Sequence, residues 1–308
     1  MSDPSQGAIT AATRYCAVFG QPIRHSASPA MQNAGIAALG LDWRYLAFEV
    51  PPGRLPEAIA GCRAMKFVGL NLTVPHKILA LGLVDELDAS ARQWGAVNTI
   101  RFEGRDPSSG GWRPVGEFSG SAPDELRAVG FNTDADAVIA SLEEDLGLAA
   151  RGLKGVILGA GGGAGRVAAL RLASGGAAEL HLLNRTRSKA EEVAAEITHR
   201  HPATRVSVGY PSGRVDLILN ATSLGLKPAD ELPVDTARFP LQQAASAYDM
   251  VYRPAVTPFL SAARGAGCRT ANGLGMLLHQ GAKALELWSG RPAPANIMKL
   301  ALQRHLAT

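Results

Sequence analysis

In the middle of the chain lies the stretch Val156-Ile157-Leu158-Gly159-Ala160-Gly161-Gly162-Gly163-Ala164-Gly165. An apolar run ends there in a glycine cluster, and a helix-like segment follows. Glycine lets a tight turn close, and it lets backbone N–H groups approach a pyrophosphate at a helix N-terminus. The spacing Gly159-x-Gly161-x-x-Ala164 fits the dinucleotide fingerprint, in which alanine is accepted in the third place. The stretch therefore predicts the phosphate-binding turn of a Rossmann-type unit.

The segment after the next predicted strand indicates which dinucleotide binds. Asn184-Arg185-Thr186-Arg187 follows that strand, at the position where an NAD site usually carries an acid for the ribose 2′-hydroxyl. No acidic residue occurs between Glu179 and Glu191. The Arg185 guanidinium is planar and always charged, which suits a 2′-phosphate. The segment predicts NADP; the alternative is that the two arginines are ordinary surface charges in a turn.

Composition excludes several classes of protein. The chain has 308 residues, enough for two domains, and 46% of them are hydrophobic. Its formal net charge is +4, with basic residues scattered along the chain, so no nucleic-acid footprint is indicated. The three cysteines and seven histidines show no metal-ligand spacing, and the cysteines no disulfide framework, which predicts a cytoplasmic protein without a metal. No signal peptide is indicated, and no apolar run approaches the length of a membrane span.

Local signals predict alternating strands and helices on both sides of the glycine stretch. Ser28-Pro29 predicts a helix start with Ser28 as the N-cap, and Ser188-x-x-Glu191 predicts a capping box. Residues 103–127 are rich in Gly, Pro, Ser and charge, so they are predicted to form a long loop or an extended hairpin. Loops of this length are usually functional or disordered, and disorder is the favoured prediction for these residues.

Five further segments place polar residues at turns or on an apolar helix. Ser26 and Ser28 lie two residues apart at a predicted strand-to-helix turn, where they could bind a carboxylate. Lys77 follows a strand, and Asn98 and Asp134 occupy turn positions. Taken one at a time, these residues have ordinary explanations: an N-cap, a solvated lysine and Asx turns. Gln280, on an otherwise apolar helix, could equally be exposed or satisfied by its neighbours.

Taken together, the segments resemble the shikimate dehydrogenase family. The resemblance rests on Ser-x-Ser-Pro, Asn-Leu-Thr-Val-Pro-His-Lys, Gly-Ala-Val-Asn-Thr, Asn-Thr-Asp, Gly-Ala-Gly-Gly, Asn-Arg-Thr, Asn-Ala-Thr-Ser-x-Gly, Asp-Met-Val-Tyr and Asn-Gly-x-Gly-Met-Leu-x-x-Gln. They occur in the family's order between residues 15 and 288, which makes the series more specific than any single motif. Residues 103–127 depart from it, because they are longer than the family's usual hairpin.

The resemblance implies the NADPH-dependent reduction of 3-dehydroshikimate to shikimate, in the biosynthesis of aromatic amino acids. Lys77 and Asp134 would form the catalytic pair. The substrate would contact Ser26, Ser28, Thr73, Asn98, Tyr252 and Gln280, with Asp134 also reading a ring hydroxyl. The cofactor would contact Gly159, Ala160, Gly161, Gly162, Gly163, Asn184, Arg185, Thr186, Lys189, Thr222, Met250 and Gly273.

The implied architecture is an α/β fold of two domains. Residues 1–134 with 273–308 would form an α/β substrate domain completed by the C-terminal helix, and residues 135–272 a Rossmann-type NADP domain. The implied partners are the small-molecule substrate and the cofactor, without nucleic acid or membrane, and a homodimer is possible. Two alternatives stay open: a quinate/shikimate dehydrogenase that prefers NAD, and a non-catalytic NADP-binding module.

Overall fold

Two α/β units make up the part of the chain that the structure describes. The computed structural model describes residues 9–227 and 229–307. Contacts divide them into residues 9–133 with 280–307, and residues 134–279. Asp134 and residues 273–279 thus fall in the second unit, unlike in the predicted bounds. For Asp134 the reason is that this residue begins a helix whose buried face packs within the second unit.

The first unit contains a seven-stranded mixed sheet. Its strands are β1 (Arg14–Gly20), β2 (Trp43–Glu49), β3 (Gly69–Leu72), β4 (Glu86–Leu87), β5 (Thr99–Arg105), β6 (Trp112–Pro114) and β7 (Leu126–Phe131). Their order is β2-β1-β3-β5-β7-β4, with β6 paired to β5. The helices within its first segment are α1 (Ser28–Ala38), α2 (Leu55–Ala64), α3 (His76–Leu79) and α4 (Ala89–Trp94).

A C-terminal helix completes this unit, as the sequence predicts, and a second helix follows it. They are α9 (Leu274–Ser289), which enters it at Gln280, and α10 (Ala295–Ala307). The buried Trp288 ring donates a hydrogen bond of 3.0 Å from Nε1 to the carbonyl of Ile100 on β5. A Cβ added to Gly69 on β3 would lie 2.0 Å from that same nitrogen, so glycine is required for the indole to reach the sheet. Through Trp288, α9 therefore packs against strands β3 and β5 of the first sheet.

Residues 103–127 form an ordered hairpin, so the favoured prediction of disorder was wrong. β5 and β6 pair antiparallel, and the chain returns through β7. The Arg14 guanidinium donates to the carbonyls of Val115, Phe118 and Gly120, which anchors the segment after β6. The composition of residues 103–127 does not reveal that they are ordered, because Arg14, which stabilises them, lies about 100 residues away in the sequence.

The second unit has the strand order of a Rossmann fold. Its strands are β8 (Lys154–Leu158), β9 (Glu179–Leu183), β10 (Arg205–Val208), β11 (Val215–Asn220), β12 (Ala244–Asp249) and β13 (Arg269–Asn272). They are all parallel, in the order β10-β9-β8-β11-β12-β13. Its helices are α5 (Asp134–Leu146), α6 (Gly163–Ser174), α7 (Arg187–Arg200) and α8 (Pro258–Gly265). In such sheets ligands bind where the strand order reverses, here between β8 and β11.

Two predicted helix caps were wrong. Helix α1 begins at Ser28 itself, with Ala27 in the cap position and no side-chain cap bond. Helix α7 begins at Arg187, with Thr186 in the cap position. Glu191 therefore cannot close a capping box with Ser188; its carboxylate instead accepts a hydrogen bond of 2.7 Å from Arg187.

Within the described residues, no helix combines the length and apolar character that crossing a membrane requires.

Candidate active site

The register of the first sheet brings several predicted site residues to one edge. β1 and β3 run parallel, with Phe19 beside Leu72. β5 runs antiparallel to both β3 and β7, so Asn71 and Phe131 both lie beside Thr99. The ends of β1, β3 and β7 therefore meet the start of β5. The segments that leave this edge carry Ser26, Ser28, Thr73, Lys77, Asn98 and Thr133.

The loop from β1 to α1 carries the two predicted carboxylate-binding serines. The Ser26 hydroxyl oxygen accepts a bond of 3.3 Å from the backbone N–H of Ser28, which leaves its own O–H available to donate. The Ser26 hydroxyl therefore lies against the first N–H of α1, and Ser28 is the first residue of that helix. Such a group of donors is suited to an anion.

Thr73 is held at the end of β3 by close contact with β1. Its backbone N–H donates to the carbonyl of Phe19 at 2.9 Å. A Cβ added to Gly20 would lie 2.5 Å from the Thr73 methyl group, so only glycine accommodates the threonine there. The sequence analysis missed Gly20 as a site-supporting residue, because the close approach involves a strand about 50 residues away.

Lys77 lies on the short helix α3, next to a buried histidine. The Lys77 carbonyl accepts a bond of 2.8 Å from the N–H of Val97, which ties α3 to the segment before β5. The neighbouring His76 is 0% exposed. Burial lowers the pKa of His76 from its ordinary value, because a charged ring would lose its hydration. Lys77 therefore directly follows a buried ring whose charged form is disfavoured.

The Asn98 side chain is 1% exposed and is already hydrogen-bonded to other residues of the protein. Its amide oxygen accepts from the N–H of Thr133 at 2.7 Å, and its amide nitrogen donates to the Thr133 hydroxyl at 2.9 Å. These bonds leave at most one amide hydrogen of Asn98 for a substrate hydroxyl. The next residue, Asp134, is buried and begins α5. Asn98 thus fixes the segment that leads into the predicted catalytic carboxylate.

In the second unit, the glycine turn between β8 and α6 has the shape of a phosphate cradle. Gly159 has a φ of +81°, which favours glycine. A Cβ added to Gly161 would lie 2.5 Å from the Lys189 Cβ, and one added to Gly165 would lie 2.2 Å from the Gly159 carbonyl oxygen. Gly165, which the motif did not single out, thus lets α6 approach the turn closely. The cradle fits a pyrophosphate that approaches the N-terminus of α6.

The segment after β9 distinguishes between its two arginines. The Asn184 amide oxygen accepts from the N–H of Gly161 at 3.2 Å, so the adenosine-side segment is joined to the glycine turn. The Arg187 guanidinium pairs with Glu191 at 2.7 Å, one helical turn further on. Arg185 is exposed, and the structure gives it no ion pair within residues 9–227 and 229–307. Within the described residues, Arg185 is therefore the arginine of this segment that has no ion pair.

The predicted nicotinamide-side residues follow the ends of β11, β12 and β13. A Cβ added to Gly159 would lie 2.8 Å from the Thr222 methyl group, so the glycine turn and the segment after β11 meet at the switch point. A Cβ added to Gly273 would lie 2.1 Å from the Met250 carbonyl oxygen. Tyr252, partly buried, follows Met250 closely on the same segment.

Gln280 is the first residue of the first unit's C-terminal part. The carbonyl of the next residue, Gly281, accepts a bond of 2.9 Å from the Gln32 side chain on α1. A Cβ added to Gly281 would lie 2.1 Å from the end of the Met31 side chain, so α9 approaches α1 closely here. This contact places Gln280 beside the helix that Ser28 begins.

Groups of acidic, histidine and cysteine side chains that could hold a metal are absent from the described residues.

Comparison with known proteins gives two family-model matches. Residues 18–100 match the shikimate dehydrogenase substrate binding domain, and residues 273–303 match the shikimate 5′-dehydrogenase C-terminal domain. A protein of Methanopyrus kandleri named shikimate dehydrogenase (NADP(+)) is 38% identical over 305 residues, which cover 97% of this chain and 98% of that protein.

Solved structures agree with these matches. A crystal structure of shikimate dehydrogenase in complex with NADP+ superposes with a TM-score of 0.82 at 33% identity, and covers 99% of this chain and 100% of that one. The shikimate 5-dehydrogenase of Thermus thermophilus, in complex with NADP(H) and shikimate, superposes with a TM-score of 0.77 at 33% identity, and covers 95% and 99%.

Proposed function

The chain belongs to the shikimate dehydrogenase family, and from this premise we propose which of its residues carry out the reaction. It catalyses the NADPH-dependent, reversible reduction of 3-dehydroshikimate to shikimate in aromatic amino acid biosynthesis. The reaction converts a ring ketone to a hydroxyl, so the protein must orient the substrate and deliver one proton. When bound, NADPH supplies the hydride.

Lys77 is the proposed proton donor in the direction of reduction. Its ammonium gives a proton to the ketone oxygen as negative charge develops there, and it takes the proton back in the reverse direction. Before the transfer, the same positive charge stabilises the developing oxyanion. The Asp134 carboxylate stabilises the ammonium form and accepts a hydrogen bond from a ring hydroxyl.

Substrate recognition falls to the hydroxyl and amide side chains. Ser26 and Ser28, with the N-terminus of α1 and with Tyr252, hold the carboxylate. Thr73, Gln280 and the remaining amide hydrogen of Asn98 read the ring hydroxyls. A substrate analogue that lacks a hydroxyl leaves one of these groups unpaired, which is the physical basis of strong discrimination.

The proposed cofactor roles divide between the two ends of the dinucleotide. Gly159, Ala160, Gly161, Gly162 and Gly163 cradle the pyrophosphate, and Asn184, Arg185, Thr186 and Lys189 hold the 2′-phosphate. Thr222, Met250 and Gly273 lie against the nicotinamide. The exposed Arg185 guanidinium, unlike that of Arg187, has no carboxylate to neutralise it in the described residues.

The observation that carries the residue assignments is the register of the first sheet. It brings residues from four separate motifs to one edge, although up to 107 positions separate Ser26 from Thr133 in the sequence. Lys77 and Ser28 lie at or near the N-termini of the helices α3 and α1, and Ser26 lies on the loop before α1. This arrangement is typical of a binding edge on an α/β sheet.

The test is an initial-rate assay of shikimate and quinate, each with NADP and with NAD. We expect turnover mainly with shikimate and NADP. A Lys77→Ala variant should lose turnover and still bind NADP, because the lysine and the glycine turn lie in different units. Comparable rates with quinate or NAD would indicate the quinate/shikimate alternative. NADP binding without turnover by the unaltered protein would indicate the non-catalytic module.

We also propose that the protein forms a homodimer along β2. This strand is at the edge of the first sheet, and its Leu46 and Phe48 side chains are 42% and 40% exposed. An apolar edge strand is a template for pairing with a second copy. Light scattering of the unaltered protein and of Phe48→Lys should give a dimer and a monomer, respectively; a monomer in both would refute the proposal.

A cytoplasmic location is proposed from the cysteines. Cys16, Cys62 and Cys268 are buried and free. Burial raises the pKa of the Cys62 thiol to about 12, which keeps it in the unreactive protonated form. A chain whose thiols are all single and buried fits a reducing compartment. Fractionation of the source cells with an antibody against this chain would test the location.

A further inference from the structure

A row of polar side chains closes the ends of β11, β12 and β13. Asn220, Asp249 and Asn272 are the last residues of these strands and lie beside one another in the ladder. The Asn220 amide oxygen accepts from the Thr222 hydroxyl at 2.7 Å and from the Thr222 N–H at 3.0 Å. The Asn272 amide oxygen accepts from the N–H of Leu274 at 3.1 Å. These two asparagines thus hold the segments that follow their own strands.

Asp249 occupies the centre of the row and is 0% exposed. Its Oδ1 accepts from the Asn220 side chain at 2.9 Å and from the N–H of Val251 at 3.0 Å. Its Oδ2 accepts from the Thr257 hydroxyl at 2.6 Å. One carboxylate therefore joins the segments after β11 and β12 to the N-terminus of α8, which Thr257 caps. A buried carboxylate with three donors is costly unless all three bonds are made.

These contacts lead directly to residues on the proposed nicotinamide side. The Asn220 side chain, held by Asp249, fixes Thr222, and the bond to Val251 fixes the residue after Met250. The Asn220 amide nitrogen also donates to the Leu224 carbonyl at 3.1 Å. The three hydrogen bonds that the Asp249 carboxylate accepts come from Asn220, Val251 and Thr257. None of them comes from the glycine turn or from the segment around Arg185. The bonds act on the nicotinamide end of the dinucleotide site, and they approach the glycine turn only where Thr222 packs against Gly159.

We propose that Asp249 is a positioning residue for hydride transfer, which holds the segments of Thr222 and Met250 in the geometry that the nicotinamide ring needs. The inference rests on the proposed cofactor roles of those two residues. Displacement of a reacting ring by about 1 Å can lower a rate about 100-fold. Loss of the carboxylate should therefore affect turnover and nicotinamide binding, and leave the adenosine end of the site unchanged.

The experiment compares Asp249→Leu with Asp249→Asn. Leucine leaves three donors unpaired, whereas the asparagine oxygen can keep the Asn220 and Val251 bonds, and its amide can donate to the Thr257 hydroxyl. We expect kcat of Asp249→Leu to fall on the order of 10- to 100-fold, with weaker NADPH binding and a larger isotope effect from deuterated NADPH. Binding of adenosine 2′,5′-bisphosphate should not change. Asp249→Asn should recover most of kcat.

Thr204→Val provides a control for simple loss of stability. Thr204 is buried in the same unit, at the opposite edge of the sheet, and its hydroxyl donates to the Ala177 carbonyl at 2.7 Å. This variant should lower the melting temperature and leave kcat unchanged. Should Asp249→Leu fail to fold, Thr257→Val removes one of the three bonds, and the same pattern is expected at a smaller size.

Three outcomes would overturn the proposal: unchanged kcat in Asp249→Leu, an equal loss of bisphosphate and NADPH binding, or no recovery in Asp249→Asn. The contrast between NADPH and bisphosphate binding needs no turnover. Failure of the unaltered protein to oxidise shikimate would therefore count against the proposed function, while the binding contrast would still decide the role of Asp249.

Discussion

The amide oxygen of Asn98 accepts a hydrogen bond of 2.7 Å from the backbone N–H of Thr133, across 35 positions of sequence. A second bond, of 2.9 Å, joins the Asn98 nitrogen to the Thr133 hydroxyl. Because both partners are buried, the pair sets where the chain leaves β7 and where Asp134 begins α5. An amide that the resemblance assigns to the substrate thus also aligns the proposed catalytic carboxylate.

Asn98→Ala should therefore impair both stability and turnover. It leaves the buried Thr133 N–H without a partner, which costs about 1–3 kcal/mol of the free energy of unfolding. Thr133→Val is the matched control, because it removes the hydroxyl bond and keeps the N–H bond. Urea unfolding and kcat should both show the larger loss for Asn98→Ala, and equal losses would contradict the anchoring role.

Arg185→Ala should raise the KM for NADPH and change that for NADH little. A hydrogen bond to a charged group contributes about 1.5–3 kcal/mol, which corresponds to roughly a 10- to 100-fold change. Arg187→Ala is the control from the same turn, since its guanidinium pairs with Glu191 and should alter the KM little. Steady-state kinetics with both cofactors decide the matter; similar effects of Arg185→Ala on NADPH and NADH would refute the 2′-phosphate assignment.

Gly165→Ala should disrupt the glycine turn, because its Cβ would lie 2.2 Å from the Gly159 carbonyl oxygen. The helix or the turn must shift, so NADP binding should weaken and the melting temperature should fall. Gly163→Ala, at the start of the same helix, meets nothing within 4 Å. It should keep NADP binding and can raise stability by about 0.4–1 kcal/mol. Calorimetric titration of the two variants with NADP tests the difference, which vanishes if α6 does not pack closely on the turn.

His76 should make stability depend on pH. Burial lowers the pKa of its ring in the folded protein, so the unfolded chain takes up a proton at a higher pH than the folded chain does. The full stability is present above the ordinary histidine pKa of about 6.5, and it is lost as pH falls through the lowered folded pKa.

His76→Phe removes this titration with a ring of similar size. Urea unfolding of the variant should therefore lose less stability than the unaltered protein between about pH 7.5 and pH 5, a window that spans the ordinary histidine pKa. His199→Phe, on the last turn of α7, is the comparison for an added phenylalanine. Parallel losses in the unaltered protein and in His76→Phe would show that other groups cause the dependence.

Much of the fold, and the cofactor that the site binds, could be predicted because the signals are local. The apolar run before Gly159, the glycine spacing and the absence of an acid near Arg185 lie within about 35 residues, and they indicate a dinucleotide unit with NADP. The family of the chain and the α/β class were likewise predicted correctly. The residue roles at the site remain predictions that the variants above can test.

By itself, then, the amino-acid sequence determined the class of fold and the cofactor, since these follow from residue types at short spacings. The chemistry followed from the resemblance of the whole series of motifs to the shikimate dehydrogenase family. Only the tertiary structure decided that Asn98 is held by Thr133, that residues 103–127 are ordered by Arg14, and that Asp249 joins three segments. The physical reason is that a hydrogen bond or an ion pair between distant residues depends on strand register and helix packing, which no local spacing encodes.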